Sequence, residues 1–423
     1  MKQITKHNIR NYDFESISVD DFWNIGSQRE HKMHRIHAYP AKFPAFITEK
    51  AIAYGKKHGV KEIHTIADIF CGCGTTAFEA KWNNINFWGC DINPVATLIA
   101  RTKSRAYQLG RLQNYYSRIK DKFSGIQIKD QFENANERLV YWYDREHYND
   151  LFRLKAAIQE VTRSDSDYRL FFLCAFSNIL KSTSKWLAKS IKPQLDPNKH
   201  PTDVLTAFEN QYKMMFSACD GLVFSGSAET EIHTANFLDT SLQVPEMDMI
   251  ITSPPYVTSY EYADLHQLST LWLDYTDDYK KFRKGTIGSL YNAYDFGSVF
   301  EQLNRTGKEI VEQLLKHFKA KARSVAKYFM DMQQVAQKTH SILSNQGMAV
   351  FVIGNTEYKG VRIDNAKHLV ESMLNTGFSK VSVTKRKISF KILTPYRDKF
   401  GQFTTNGDGR KVYNEEFIVV GRK

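Results

Sequence analysis

Residues 63–104 constrain the fold more than any other stretch. "IHTIADIF" (63–70) is a short, largely apolar run of the kind that fills a strand buried on both faces. "CGCGTT" interrupts it with two glycines, and "TAFEAKWNN" follows as a helix. A second apolar run, "INFWGCDINP", ends in an acid. "PVATLIARTKS" then opens a second helix with a proline in its first turn. Strand, turn, helix, strand and helix with short links predict a parallel, doubly wound α/β sheet, because parallel neighbours need a helical crossover between them.

The alternation stops near residue 107. From there to 225 the patterns are mostly helical, as in "REHYNDLFRLKAAIQEVT" and "YRLFFLCAFSNILKSTSKWL". They end in a loop with prolines at 193, 197 and 201. Strands resume with "AETEIHTANFLD" and "MDMIITSPPY". A helical stretch, "YADLHQLSTLWLDY", comes next, followed by a basic loop at 280–294 and one long helix from "RTGKEIVEQLL" to "AQKTHSIL". "GMAVFVIGN" is another buried strand. "FSKVSVTKRKISFK" and "NEEFIVVGR" read as two late antiparallel strands. Residues 1–30 read as polar and irregular, and a helix is expected from near Phe46.

Charge narrows the partners. A net charge of +12 and a pI near 9.2 favour a polyanion. Aromatic residues make up 13% of the chain and offer surfaces on which unpaired bases stack. No apolar run reaches the 18 residues of a membrane span, and the N-terminus lacks the apolar core of a secretory signal. Five cysteines in 423 residues make no disulfide framework, so a reducing cytoplasm is expected.

The glycine turn reads Gly72-x-Gly74-x-x-Ala77, with Asp91 17 residues beyond Gly74 at the end of the next strand. Glycines there let backbone approach a ligand and put N–H groups at a helix start. The acid suits ribose hydroxyls. The pattern accommodates NAD or S-adenosyl-L-methionine (SAM). Asp68, at the strand side of the turn, favours SAM, since a carboxylate attracts an ammonium group and repels a pyrophosphate. Cys71 and Cys73 lack the second ligand pair of a zinc site. His31, His34 and His37 lack accompanying acids or cysteines, so no metal is expected.

At 248–257, "DMIITSPPYV", a buried strand runs into two prolines that have no N–H to give a ladder. The chain is similar here to the SAM-dependent amino-methyltransferases of DNA. Their hallmark, [DNS]-P-P-[YFW] at the end of the fourth strand, is Ser253-Pro254-Pro255-Tyr256 in this sequence. "DIFCGCGTT" resembles their SAM loop, "GCDINP" their ribose-binding strand end and "HAYPAKFP" their N-terminal segment. The resemblance implies a Rossmann-like α/β methyltransferase fold with a mixed, mostly parallel sheet. It divides the chain into a catalytic domain at 30–106 and 226–423 and a helical insertion at 107–225.

The resemblance also implies roles. Tyr39, Lys42, Phe43, Asp68, Phe70, Gly72, Gly74, Thr75, Thr76, Asp91 and Ile92 would hold SAM, with Phe237 covering its adenine and Asp239 accepting from the adenine amine. The chemistry accounts for the proline turn. An exocyclic amine is a poor nucleophile until its N–H groups are held so that the lone pair points at the methyl donor. The Ser253 hydroxyl and the Pro254 carbonyl are acceptors locked in place by two prolines. Tyr256 would stack on a base flipped out of the duplex.

Serine at the first position goes mostly with cytosine N4 in this family, and Asp or Asn with adenine N6. Methylation at cytosine C5 would need a Pro-Cys nucleophile, and none of the ten prolines precedes a cysteine. The expected partners are double-stranded DNA and, functionally, a cognate restriction endonuclease. Length and motif order also resemble the methylases that modify GGATCC. Adenine-N6 methylation of DNA, guanine-N2 methylation of tRNA and a silent SAM- or nucleic-acid-binding protein remain alternatives. Target reading is open among the insertion, the loop at 280–294 and the tail at 380–423, which holds 11 Lys/Arg against 4 Asp/Glu.

Overall fold

The computed structural model describes the chain except for residues 27–28, 128, 258–261, 292, 389–395, 398–402, 405–409 and 412–413. The strands are β1 (Lys2–Ile4), β2 (Thr65–Asp68), β3 (Asn86–Asp91), β4 (Thr230–Thr234), β5 (Met247–Thr252), β6 (Leu343–Ile353), the hairpin β7 (Thr356–Tyr358) and β8 (Val361–Ile363), β9 (Lys380–Lys387), three two-residue strands, β10 (Tyr396–Arg397), β11 (Phe403–Thr404) and β12 (Arg410–Lys411), and β13 (Glu415–Arg422). Eight of them form one sheet in the order β1-β9-β13-β6-β5-β2-β3-β4. The run from β6 to β4 is parallel throughout, and β13 is antiparallel to both its neighbours. This is the mixed, mostly parallel sheet that the sequence predicts, and the two late strands pair antiparallel as expected.

Period-two alternation explains why both faces of the sheet are dry. Met249 and Ile251 of β5, Val350 and Val352 of β6, and Ile418 and Val420 of β13 share one face with α1 (Ala45–Lys57) and α2 (Thr75–Trp82). Ile250, Phe351, Ile353, Phe417 and Val419 point the other way, into a core with α12 (Arg305–Leu315), α13 (Lys319–Ile342) and α14 (Asn365–Thr376). Asp248 sets the register between β5 and β2. Its carboxylate accepts from the backbone N–H of His64 at 2.9 Å and of Thr65 at 3.0 Å.

The helical segment leaves the sheet after α3 (Pro94–Lys103). It comprises α4 (Leu109–Gly125), α5 (Glu137–Trp142), α6 (Arg145–Val161), α7 (Ser166–Ile179) and α8 (Val204–Cys219). Its core is continuous with Met33, Ile36, Phe78 and Val95 of the sheet side and with Leu268, Leu271 and Trp272. The last three flank or lie on α9 (Tyr262–Leu265) and α10 (Gln267–Trp272), which follow the proline turn.

Two expectations are corrected. The single long helix is two, α12 and α13, separated at Lys316–Phe318. Its apolar spacing runs unbroken through the gap, so periodicity cannot reveal the break. A straight helix over all those residues would span about 57 Å, longer than the sheet it covers, and doubling back buries both halves. The N-terminal 30 residues are not merely polar: β1 pairs with β9 as an edge strand, and Ile4, Ile9, Phe14, Ile17 and Trp23 are buried. A three-residue strand among 3₁₀ turns carries no readable period.

Candidate active site

All five strands from β6 to β4 run parallel, but the chain adds β3 and β4 on one side of β2 and then β5 and β6 on the other. The switch between β2 and β5 therefore opens a crevice at their carboxyl ends, where ligands of open α/β sheets bind. Both sequence motifs meet there. Thr252, the last residue of β5, donates from its hydroxyl to Asp68 at the end of β2 across 2.6 Å. One hydrogen bond thus joins the strand that carries the glycine turn to the strand that carries Ser-Pro-Pro-Tyr.

The glycine turn is tight. Gly72 and Gly74 both have positive φ, +48° and +74°. Gly74 is the residue from which α2 starts, and its N–H donates to the Cys71 carbonyl at 2.8 Å. A Cβ on Gly74 would lie 2.5 Å from the Ala100 Cβ and 2.6 Å from its Cα, so only glycine lets α3 pack against the turn. Asp91 accepts from the Gly72 N–H at 2.9 Å and from the Asn93 N–H at 2.8 Å, one on each oxygen. Both oxygens keep lone pairs for a further donor.

Burial pushes the carboxyls of Asp68 and Asp91 up to about 6. The Thr252 and Phe70 donors oppose this at Asp68, and the Asn93 and Gly72 N–H groups oppose it at Asp91. Two acids in one crevice that are ready to ionise suit a ligand carrying both an ammonium and a diol. The hydroxyl of Thr75 and the amide nitrogen of Asn93 are buried with no protein partner among the described residues, as unfilled polar positions around such a ligand would be. Tyr39 overhangs the turn, and a Cβ on Gly72 would be 3.6 Å from its ring. Its other neighbours are His266, stacked at 5.2 Å, and Tyr262 at 6.4 Å.

At the other motif, Ser253 donates to the Val352 carbonyl at 3.0 Å, which leaves its lone pairs free to accept. No peptide bond is cis among the described residues, so the turn is made by two trans prolines. The Tyr256 phenol reaches 3.0 Å from the Glu416 carboxylate on β13, and Gly354 at the end of β6 makes room for its ring.

The remaining site residues of the sequence reading lie around this centre to different degrees. Ile92 follows Asp91 and meets Gly285, where a Cβ would be 3.0 Å away. Phe70 packs on the core beneath, and Thr76 is fully buried in α2. Lys42 bonds Glu30 at 2.7 Å and the His34 carbonyl at 3.3 Å, which ties the N-terminal segment to itself. Phe43 packs against the core that contains Cys71. Phe237 is buried, with Lys338 5.1 Å from its ring. Asp239 is exposed and accepts from Ser241 at 2.9 Å. The geometry brings Asp68, Asp91, Gly72, Gly74, Tyr39 and the proline turn together; Phe237 and Asp239 are engaged in packing and a local turn. The histidines part: His34 bonds Glu79 at 2.7 Å, His37 bonds Ser177 at 3.0 Å and His31 packs on Phe78.

Thr252, Asn93, His266, Gly354 and Glu416 were missed in the sequence. Asn93 had a signal, as the cap before a proline-opened helix. Thr252, Gly354 and Glu416 reach the site through strand pairing and His266 through the packing of α10 against Tyr39, neither of which leaves a local trace.

The candidate recognition segments differ in how much charge they have free. In the loop, Lys281 pairs with Asp277, and Arg283 with Asp264 at 2.7 Å. Lys280, Lys284, Leu290 and Tyr291 are exposed. In the tail, Lys385 and Arg386 are buried and bound to Glu15, Glu415 and Glu416. Burial and pairing take them out of phosphate contact, and most of "TPYRDKFGQ" lies outside the described residues.

A switch-point crevice with a glycine turn, two strand-end acids and a proline turn is the arrangement a Rossmann-like methyltransferase fold would present. Residues 2–102 match a family model described as DNA methylase, of the N6/N4 type. The chain is 24% identical over 363 residues to the Type II methyltransferase M.MvaI of Kocuria varians, covering 78% of each. It is 25% identical over 292 residues to M.BsoBI of Geobacillus stearothermophilus, covering 61% of this chain and 56% of that one. A third relative, M.MjaII of Methanocaldococcus jannaschii, is 28% identical over 153 residues, 34% of this chain and 28% of its own. The rRNA methyltransferase aviRa of Streptomyces viridochromogenes aligns over 98% of this chain and 95% of its own, at 9% identity and a TM-score of 0.27, too low to bear on the fold. The sequence matches bear out the resemblance to DNA methyltransferases of the amino-directed kind.

Proposed function

We propose that this chain transfers a methyl group from SAM to the exocyclic N4 of a flipped cytosine in double-stranded DNA, as the modification partner of a restriction endonuclease. The observation that carries the reading is Ser253 in its proline turn, one strand from Asp68 and beside Tyr256. A serine hydroxyl that donates to Val352 has its lone pairs left for an amine N–H, and the Pro254 carbonyl offers a second acceptor. Held by both, the amine lone pair turns out of the ring plane. Tyr256 supplies a ring for stacking. The residues around the glycine turn fit SAM: Asp68 for the ammonium, Asp91 for the ribose hydroxyls, Tyr39 as cover. When bound there, SAM supplies a methyl group on a sulfonium. Exposed Lys280, Lys284, Leu290 and Tyr291 and the helical insertion at 107–225 are the surfaces proposed to meet DNA.

Nucleoside mass spectrometry on DNA from a methylation-free host expressing the chain tests this. N4-methylcytosine is expected, and sequencing of the protected sites would then give the target, including whether it is GGATCC. N6-methyladenine would overturn the base assignment and keep the mechanism. Neither mark would overturn both.

A pH dependence follows from the two raised carboxyls. A carboxyl raised by burial binds its proton more tightly folded than unfolded. The ligand-free protein therefore loses stability as pH rises from about 4 to about 6. Binding of a cationic, diol-bearing ligand runs the other way and needs both acids ionised. SAM affinity measured by calorimetry should rise roughly a hundredfold between pH 5 and pH 7, about tenfold for each acid. Asp68→Asn should bind more weakly with a flatter profile.

A further inference from the structure

We propose that Glu416, held by Arg386, is a positioning residue for Tyr256. This rests on the methyltransferase reading of the same site. Any flat ring would stack on a base, so stacking alone does not require a phenol. A half-buried phenol does require a partner for its hydroxyl. Here the partner is a carboxylate, the stronger kind of acceptor, at 3.0 Å. The other oxygen of Glu416 accepts from the Arg386 guanidinium, which is 3% exposed. That cation keeps the carboxylate oriented and compensated next to the crevice.

The pair spans two antiparallel strands. Glu416 and Arg386 are register partners across β13 and β9, so the sheet itself sets the position of the carboxylate. Gly354, directly after β6, the strand beside β13, allows the ring to reach it: a Cβ there would lie 2.9 Å from the Tyr256 ring. The acceptor that would engage the amine and the ring that would stack on its base sit at the two ends of one Ser-Pro-Pro-Tyr turn, the first bonded to Val352 and the second to Glu416. Freed of that anchor, the ring would sample other rotamers, and the base would be misaimed relative to the methyl donor.

The test is single-turnover methylation with saturating SAM and duplex DNA, using Tyr256→Phe, Glu416→Gln and the double variant. Tyr256→Phe keeps the ring and the Glu416–Arg386 pair, so it reports on the anchor without disturbing the sheet. Each single variant should slow the methyl-transfer rate constant roughly tenfold while SAM affinity stays within about twofold. The double variant should be no slower than the worse single by more than about twofold, because both remove one restraint. Losses that multiply, or a fully active Tyr256→Phe, would overturn the proposal in an enzyme whose wild type methylates DNA. A wild type that methylates no nucleic acid would overturn the functional reading and this inference together.

Discussion

Ser253→Ala and Tyr256→Ala should each lower the turnover of DNA methylation by at least about 100-fold, with SAM binding kept. Serine loses an acceptor for the amine, and tyrosine loses the stacking surface. In the proposed mechanism both groups would act mainly on the transition state, since Ser253 bonds Val352 and Tyr256 bonds Glu416, away from the glycine turn. Calorimetry with SAM and single-turnover rates separate the two quantities. Full activity in both variants would remove the proline turn from the mechanism, and loss of SAM binding would move it into the cofactor site. Ser253→Thr is the control: it keeps the hydroxyl, crowds the turn with one methyl and should retain more activity than alanine.

Gly74→Ala should unseat the cofactor turn from the opposite side. The new Cβ would lie 2.6 Å from backbone of α3, and φ at this position is +74°. Backbone cannot give way as a flexible side chain can, so α3 must shift or the turn must open. The expected cost is about 3 kcal/mol, from left-handed strain plus overpacking. Thermal unfolding should show a lowered Tm, and SAM binding should be lost even where the variant stays folded. A Gly74→Ala protein with wild-type Tm and SAM affinity would contradict this account of the turn. Gly72→Ala is the milder comparison, because a Cβ there meets only the Tyr39 ring at 3.6 Å.

These two sites mark the boundary of what could be read from the chain alone. Gly72, Gly74, Asp91 and Ser253 to Tyr256 were legible because each motif is contiguous: its chemistry depends on neighbours along the backbone, and glycine or proline leaves an unambiguous mark. The parallel start of the sheet was legible for a similar reason, since a buried strand and its crossover helix each carry a period. The helix broken at residues 316–318 and the buried segment at 1–23 were not legible. Length against the sheet decided the first, and packing at the sheet edge decided the second.

By itself, then, the sequence determined that a glycine turn with a strand-end acid and a Ser-Pro-Pro-Tyr turn, resembling the SAM loop and the hallmark of amino-methyltransferases, belong to one α/β architecture. Only the tertiary structure decided that β5 lies beside β2, so that Thr252 reaches Asp68 and the two motifs face one crevice. It alone decided that Glu416, 160 residues beyond Tyr256, would hold the phenol, and that Arg386 would be spent on Glu416 rather than on phosphate. The physical reason is that local backbone preferences act over a few residues. Strand order and register are set by which apolar faces can be buried together, and that is a property of the whole sheet.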